Sequence, residues 1–437
     1  MSWLRRRLDG LPGRSSARLG GYSLVAQVAG LVAGTANFLL LARSLGPSDY
    51  GVIAGAWALI LATAPIAMLG AEALVTRDVA GLGRRPAEAL GAGVAMVGFG
   101  SSVGLLLLVA LHPFLLPQVP IELIVGLAVA DIFCLGATGC LAALLFAMES
   151  ARAVAVVAVV NSGAKLGAVV VFALLGGSDP VQWAALYAAF SVAAALLQFG
   201  WAARRYGRPV LGGHGLLGRA RTGLSYSVNS AGIILMTDSD KTLLVRNGFS
   251  TEAGVYGVAY RLSTMAALPV TAVLHATFPR FFSIGETGGL RATTAFARKL
   301  AVPLAAYGVF AGVALLVVAP LVPLVVGEEY RPSVPLLMVL AGLPLLQTLE
   351  SLPSDALTGA GRQSTRTACV MAAAAVNVVL NLLLIPHHGV KAAVATTLLS
   401  EVLFLALVTL AVRKGLSEVD EPVVPAVEAL GQPTAAP

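Results

Sequence analysis

Apolar runs of about twenty residues recur along the whole chain. A run of that length is what a helix needs to cross a hydrocarbon layer of about 30 Å at 1.5 Å per residue. About twelve such spans can be drawn, at residues 21–43, 50–72, 87–111, 119–148, 153–175, 181–203, 222–245, 253–279, 298–326, 333–357, 366–385 and 390–412. Hydrocarbon offers no partner for backbone polar groups, so runs of this kind fold as helices, and the expected class is an all-α integral membrane protein. Composition points the same way: of 437 residues, 57% are hydrophobic and 12% charged, a balance foreign to soluble domains. The fourth run is long, and an interruption is expected near residues 136–139.

The chain also repeats itself. Residues 39–59 read LLLARSLGPSDYGVIAGAWAL, and LLVRNGFSTEAGVYGVAYRL ends at Leu262. Each has an aliphatic run, an arginine, a short Gly/Ser/acidic turn, and Tyr-Gly-Val opening a new helix. Tyr50-Gly51-Val52 returns as Tyr256-Gly257-Val258 about half a chain later, with Pro65 and Pro269 following at similar depths. A two-half repeat in a membrane protein is a transporter signature. The expected division is a basic cytoplasmic N-terminus (1–20), an N-lobe of spans one to six (21–203), a Gly-rich linker (204–221), a C-lobe of spans seven to twelve (222–414) and a disordered tail (415–437). Two related six-helix lobes imply a V-shaped, alternating-access bundle with spans one, two, seven and eight along its cleft.

The net charge of +7 invites a nucleic-acid reading, but the placement of the charges rejects it. Of 29 Lys and Arg residues, only Arg43, Arg246, Arg331 and Lys391 fall on one side, three lie within spans, and the rest crowd the other side. By the positive-inside rule both termini face the cytoplasm, in a multi-pass protein of the cell (inner) membrane. The first residues carry no clear small-residue cleavage site, so the first span reads as an uncleaved anchor. Trp3, Leu4 and Leu8 beside Arg5, Arg6 and Arg7 suit a short interfacial helix or a solvated basic tail. The loops on the outer side are short, which argues against a catalytic loop and an enzyme. Cys134, Cys140 and Cys369 are odd in number, sit in apolar runs and lack metal-ligand spacing. His387 and His388 have no third ligand nearby, so neither a metal nor a cofactor is expected.

Charges inside a span are costly, by about 2.5–3.5 kcal/mol each on insertion scales, and mark a wet or protein-lined interior. The cations that qualify are Lys165, near the middle of span five, with Lys241 and Arg261 in the outer halves of spans seven and eight. Asp131, Asp238 and Asp240 are the acidic candidates for ion coupling, with Glu350 and Glu401 as further ones. Structural readings stand beside these: Asp238 and Lys241 are spaced i,i+3 for an ion pair, and Lys165 lies level with Asp131. Asn377 and Asn381, spaced i,i+4, suit either a sugar path or interhelical hydrogen bonds.

Five motifs occur in order: ARSLGPSDYG (from Ala42), DKTLLVRNGFSTEAGVYGVAYRL (from Asp240), VVGEEYRPSVPLL (from Val325), LTGAGRQSTR (from Leu357) and NVVLNLLLIPHHGVKAAVATTL (from Asn377). With these, the chain resembles the oligosaccharide-lipid flippases of the multidrug/oligosaccharidyl-lipid/polysaccharide exporter superfamily, from about Gly21 to Lys414. The resemblance implies a flippase for polyprenyl-diphosphate-linked sugar repeat units in polysaccharide biosynthesis. It also implies H+ or Na+ coupling and polysaccharide assembly proteins as partners, and the alternative is a drug/cation antiporter of the same superfamily. A diphosphate leaving water needs charge-assisted hydrogen bonds, so Lys165, Lys241 and Arg261 are the expected lining for it.

Overall fold

The computed structural model describes residues 14–210 and 216–420, with side-chain surroundings from residue 29 onward apart from 211–226, 228 and 418–420. The N-terminal segment 3–8, part of the expected linker and most of the expected tail lie outside the described residues. Everything regular within them is helical. In chain order the helices are α1 (Arg14–Ala67), α2 (Ala71–Thr76), α3 (Pro86–Leu115), α4 (Ile121–Ala128), α5 (Leu135–Ala147), α6 (Ala151–Leu174), α7 (Pro180–Tyr206) and α8 (Leu216–Arg246). They continue as α9 (Ser250–Ala266), α10 (Leu268–Val318), α11 (Val322–Val326), α12 (Ser333–Leu340), α13 (Leu343–Gly359), α14 (Gln363–His388) and α15 (Val390–Asp420). The last helix thus runs past Gly415, where a disordered tail was expected.

Two of these helices are bent double. In α1, Gly46 takes φ 70° and ψ 176°, outside helical space, and Pro47 restarts the helix. Only a residue without a Cβ adopts that backbone freely, and proline presets the φ of a first turn. Gly34 and Leu61 nonetheless border one cavity. A straight helix would hold them about 40 Å apart, so the arms fold back on each other. Gly289 (φ 58°) does the same in α10, where the Tyr307 hydroxyl reaches back to the Ala266 carbonyl at 3.1 Å and Phe281 packs on Phe296.

Nine helical segments among the described residues are long and apolar enough to cross a membrane, the longest being the 53-residue Ala29–Gly81 and the 59-residue Leu268–Val326. Neither α8, which carries Asp238, Asp240 and Lys241, nor the 17-residue α9 is among them. The polar residues that make the seventh span interesting also dilute its hydropathy, whereas α9 is short because it ends at Ala266, where α10 takes over from Leu268. The irregularity expected at residues 136–139 lies slightly earlier. A π-helical turn, Val129–Cys134, joins α4 to α5 and contains Asp131, and such turns are frequent at functional sites.

Buried apolar side chains show how the two halves of the chain meet. Near Gly46 a single cluster takes Leu41, Ile53, Leu123 and Trp183 from the first half and Val245, Tyr256, Tyr330 and Leu340 from the second. Away from that end the clusters divide. Leu74, Met96 and Leu144 belong to the first half alone, and Met236, Val370 and Phe404, or Phe281, Leu304 and Leu352, to the second. The halves share a core at one end and keep separate cores at the other.

Candidate functional site

Between the halves lies a cavity of about 510 Å³. Both arms of α1 border it with α8 and α9, as do Asp131 and Leu135, Lys165 of α6 and Gln347 of α13. Five of the six candidate residues meet there: Lys165, Lys241, Arg261, Asp131 and Asp238. A second space of about 850 Å³ shares Gly34, Arg261 and Thr264 with it. This one runs away from the shared core along Gly30, Leu31, Leu268, Pro269, Ala272 and His275, and its walls are mostly apolar. Pro269 borders it as the repeat suggested, whereas Pro65 borders neither cavity.

The three cations differ in how far each is already engaged. The Lys165 ammonium lies 3.8 Å from the centre of the Trp57 ring and 5.2 Å from that of Tyr187, so two aromatic faces meet part of its charge. Asp131 holds those rings in place, accepting from the Trp57 indole N–H and the Tyr187 hydroxyl, each at 2.6 Å. Asp131 and Lys165 thus share the same two rings, one bonded to their polar edges and the other lying over their faces. Lys241 makes the i,i+3 ion pair with Asp238 at 2.6 Å, donates to the Thr237 carbonyl at 3.0 Å, and lies over Tyr260 at 4.0 Å. Arg261 is exposed to the cavity beside Gly34, and among the described residues no carboxylate lies within ion-pair distance of it. Its five N–H donors are the ones left for a ligand.

Asp240 borders neither cavity, although its carboxylate lies 3.7 Å from the Lys241 ammonium. It accepts from the Tyr256 and Thr397 hydroxyls and from the Lys241 backbone N–H. Beside it Ser239 donates to Asn377, Asn377 to Ser400, Asn381 to Asn377, and Thr396 to Asn381. Asn377 and Asn381 are fully buried and tie α8, α14 and α15 together, so they serve interhelical bonding and border neither cavity. Arg43 and Arg246 are exposed at helix ends. Among the described residues no group of three His, Cys, Asp or Glu could hold a metal ion.

Reasoning from charge alone passed over Trp57, Tyr187, Tyr260 and Gln347. The pattern that places Trp57 was present: it follows Tyr50 by two helical turns and so shares its face. The glycines of the closed end were also passed over. Gly51 and Gly55 form a G-x-x-x-G face, which lets membrane helices approach at backbone distance. A Cβ on Gly51 would overlap the Ser250 carbonyl oxygen, and one on Gly254 the Pro47 carbonyl oxygen. Across the same end Thr242 donates to the Gly55 carbonyl at 2.8 Å and Tyr330 to that of Ala42 at 3.0 Å.

The architecture matches solved membrane transporters. An inward-facing multidrug resistance MATE family transporter of the MOP superfamily aligns with a TM-score of 0.70 and 14% identity, over 92% of this chain and 95% of that one. The lipid II flippase MurJ, in an inward closed conformation, aligns with a TM-score of 0.64 and 13% identity, over 91% and 87%. A MOP superfamily transporter from Pyrococcus furiosus aligns with a TM-score of 0.59 and 14% identity, over 93% and 96%. This is a multi-pass membrane protein with the fold of MOP superfamily transporters. More narrowly, it belongs to the polysaccharide biosynthesis protein family, whose model matches residues 17–285. No curated protein sequence matches it at a significant level.

Proposed function

We propose that this protein is a flippase that carries polyprenyl-diphosphate-linked oligosaccharides outward across the inner membrane for polysaccharide biosynthesis, by alternating access and without catalytic chemistry. The observation that carries this reading is the joining of two unlike cavities. One holds Lys165, Lys241 and Arg261; the other, sharing Arg261, is walled by apolar side chains and lies between α1 and α10. A lipid diphosphate has the same two parts, an anionic head needing charge-assisted donors and a tail that stays in hydrocarbon. Family membership and the MurJ fold support the reading. Proteoliposomes holding a fluorescent polyprenyl-diphosphate oligosaccharide test it, with a glycosidase outside to report the sugar's side. The protein should speed the sugar's passage well above that of protein-free vesicles. Export of cationic dyes with no effect on the lipid would make the antiporter reading the correct one.

In this reading twelve spans form two lobes, both termini are cytoplasmic, and the shared-core end faces outward. Reporter fusions at Gly177 and Glu328 are expected to give the outer-side signal, and fusions at Gly212 and Gly415 the inner. An inner-side signal at Gly177 would remove the orientation. The basic side then lies at the mouth of the divided end, where an anionic headgroup arrives from the cytoplasm.

A further inference from the structure

The first arm of α1 passes the two cavities in turn. Gly30, Leu31 and Thr35 border the larger, apolar one, Gly34 borders both, and Asn37, Phe38 and Leu41 border the central one alone. The Arg261 guanidinium lies against the helix at Gly34, where a Cβ would meet its Nη2 at 3.7 Å. Asn37 is the next residue on that side of the helix, about 4.5 Å further along the axis and away from the apolar cavity.

Asn37 is 3% exposed, yet its carbonyl oxygen has no hydrogen-bond partner among the described residues, and its amide nitrogen donates to none of them. The asparagines buried as deeply elsewhere behave differently: Asn377 and Asn381 each donate and accept. A buried amide is normally paired, because leaving it unpaired is costly. One that borders a ligand cavity can take its partner from the ligand.

The chemistry of that partner is narrow. An ionised diphosphate is an acceptor only, which suits Arg261 and the two lysines but offers nothing to a carbonyl oxygen. A polyprenyl tail neither donates nor accepts. A sugar does both, through each hydroxyl or acetamido group. Apolar cavity, Arg261 and Asn37 then follow one another along α1 in the covalent order of a lipid-linked sugar: tail, diphosphate, sugar. In a sugar linked through C1, the first donor beyond the diphosphate is the substituent on C2, a hydroxyl or an acetamido group.

We propose that Asn37 determines sugar specificity in the central cavity, its carbonyl oxygen accepting the O–H or N–H of the C2 substituent on the sugar joined to the diphosphate. This rests on the transport reading above and adds to it which part of the substrate is read, and by which residue.

The test measures displacement of a fluorescent, sugar-free polyprenyl diphosphate from the full-length protein in lipid nanodiscs. The competitors are the same lipid diphosphate carrying glucose, N-acetylglucosamine or 2-deoxyglucose. The better of the first two should bind about fivefold more tightly than the 2-deoxy lipid, the worth of one neutral hydrogen bond, and which of them is better identifies the group that Asn37 reads. Asn37→Leu, close in size but unable to accept, should bring that ratio to one. Asn37→Ala, which only removes atoms, gives the same reading if the leucine variant does not fold. Wild-type protein that binds the fluorescent lipid but does not distinguish the three sugars would overturn the role of Asn37 and leave the flippase reading standing. A wild-type ratio kept in the variants would overturn it too, even where every affinity falls, because that pattern marks a structural residue. Failure of wild-type protein to bind any of the lipids would instead sink the flippase reading, and this inference with it.

Discussion

Arg261→Ala is expected to weaken binding of a lipid-linked diphosphate by about 10- to 150-fold, with the protein reaching the membrane at wild-type levels. The magnitude follows from hydrogen bonds to charged groups, worth about 1.5–3 kcal/mol, converted to affinity. Arg261 gives the cleanest test of the three cations because its guanidinium is exposed to the cavity and has no carboxylate partner among the described residues. Lys241 does not offer that: removing it leaves Asp238 facing the cavity unpaired, and breaking a buried pair costs about 3–5 kcal/mol in the strong cases. Lys165 is confounded too, because its ammonium packs on the rings that Asp131 orients. Arg261→Lys should fall between wild type and alanine, since it keeps the charge but loses the bidentate fork that fits phosphate oxygens. The measurement is protection of the lipid-linked sugar in a binding assay, beside its rate of passage in proteoliposomes. Unchanged binding in Arg261→Ala, with transport abolished by Asp131→Asn, would instead mark the cations as counter-ions and favour a cationic substrate.

Much of this arrangement was legible in the sequence, because the bilayer restricts what a chain can do. An apolar run of about twenty residues has one stable form in hydrocarbon, so the helices follow from composition, and their breaks from residues such as Gly46-Pro47. Charges placed within those runs must find an interior, and five of the six candidates reached one cavity. The cost of burial says that a charge needs a partner or a purpose; it does not say which. Asp240 illustrates the difference. It lies two residues from Asp238, about 200° around a helix, and so points at Tyr256 and Thr397 while Asp238 faces the cavity. The aromatic cage around Lys165 was harder to foresee. It joins α1, the π-helical turn and α7, and no local pattern relates Trp57 to Tyr187 across 130 residues of chain.

The closed end carries the second large effect, and it turns on one methyl group. Gly254→Ala is expected to shift the protein away from the conformation described here, whereas Gly257→Ala, one helical turn along, should be tolerated. The repeated sequence points to the wrong glycine. Tyr-Gly-Val pairs Gly51 with Gly257, yet the helices cross with Gly51 against Gly254, a register offset by three residues. A Cβ on Gly257 would meet Tyr50 and Ala54 side-chain atoms at 3.6 and 3.7 Å, ordinary contact distances. A Cβ on Gly254 would overlap the Pro47 carbonyl oxygen. That oxygen belongs to the backbone and cannot swing aside, and Pro47 is fixed by the break at Gly46. Overpacking of this kind costs about 1–3 kcal/mol, and here the helices can relieve it by separating. Because each half keeps its own core at the other end, the strain should open the closed end without unfolding the protein. A shift of that size changes the ratio of two conformations by about 5- to 150-fold. Spin labels at Ser48 and Asn247, exposed on the two sides of the contact, read it as a longer distance population in Gly254→Ala and an unchanged one in Gly257→Ala. Identical distributions in both variants, with transport intact, would mean that the glycine contact does not hold this end closed.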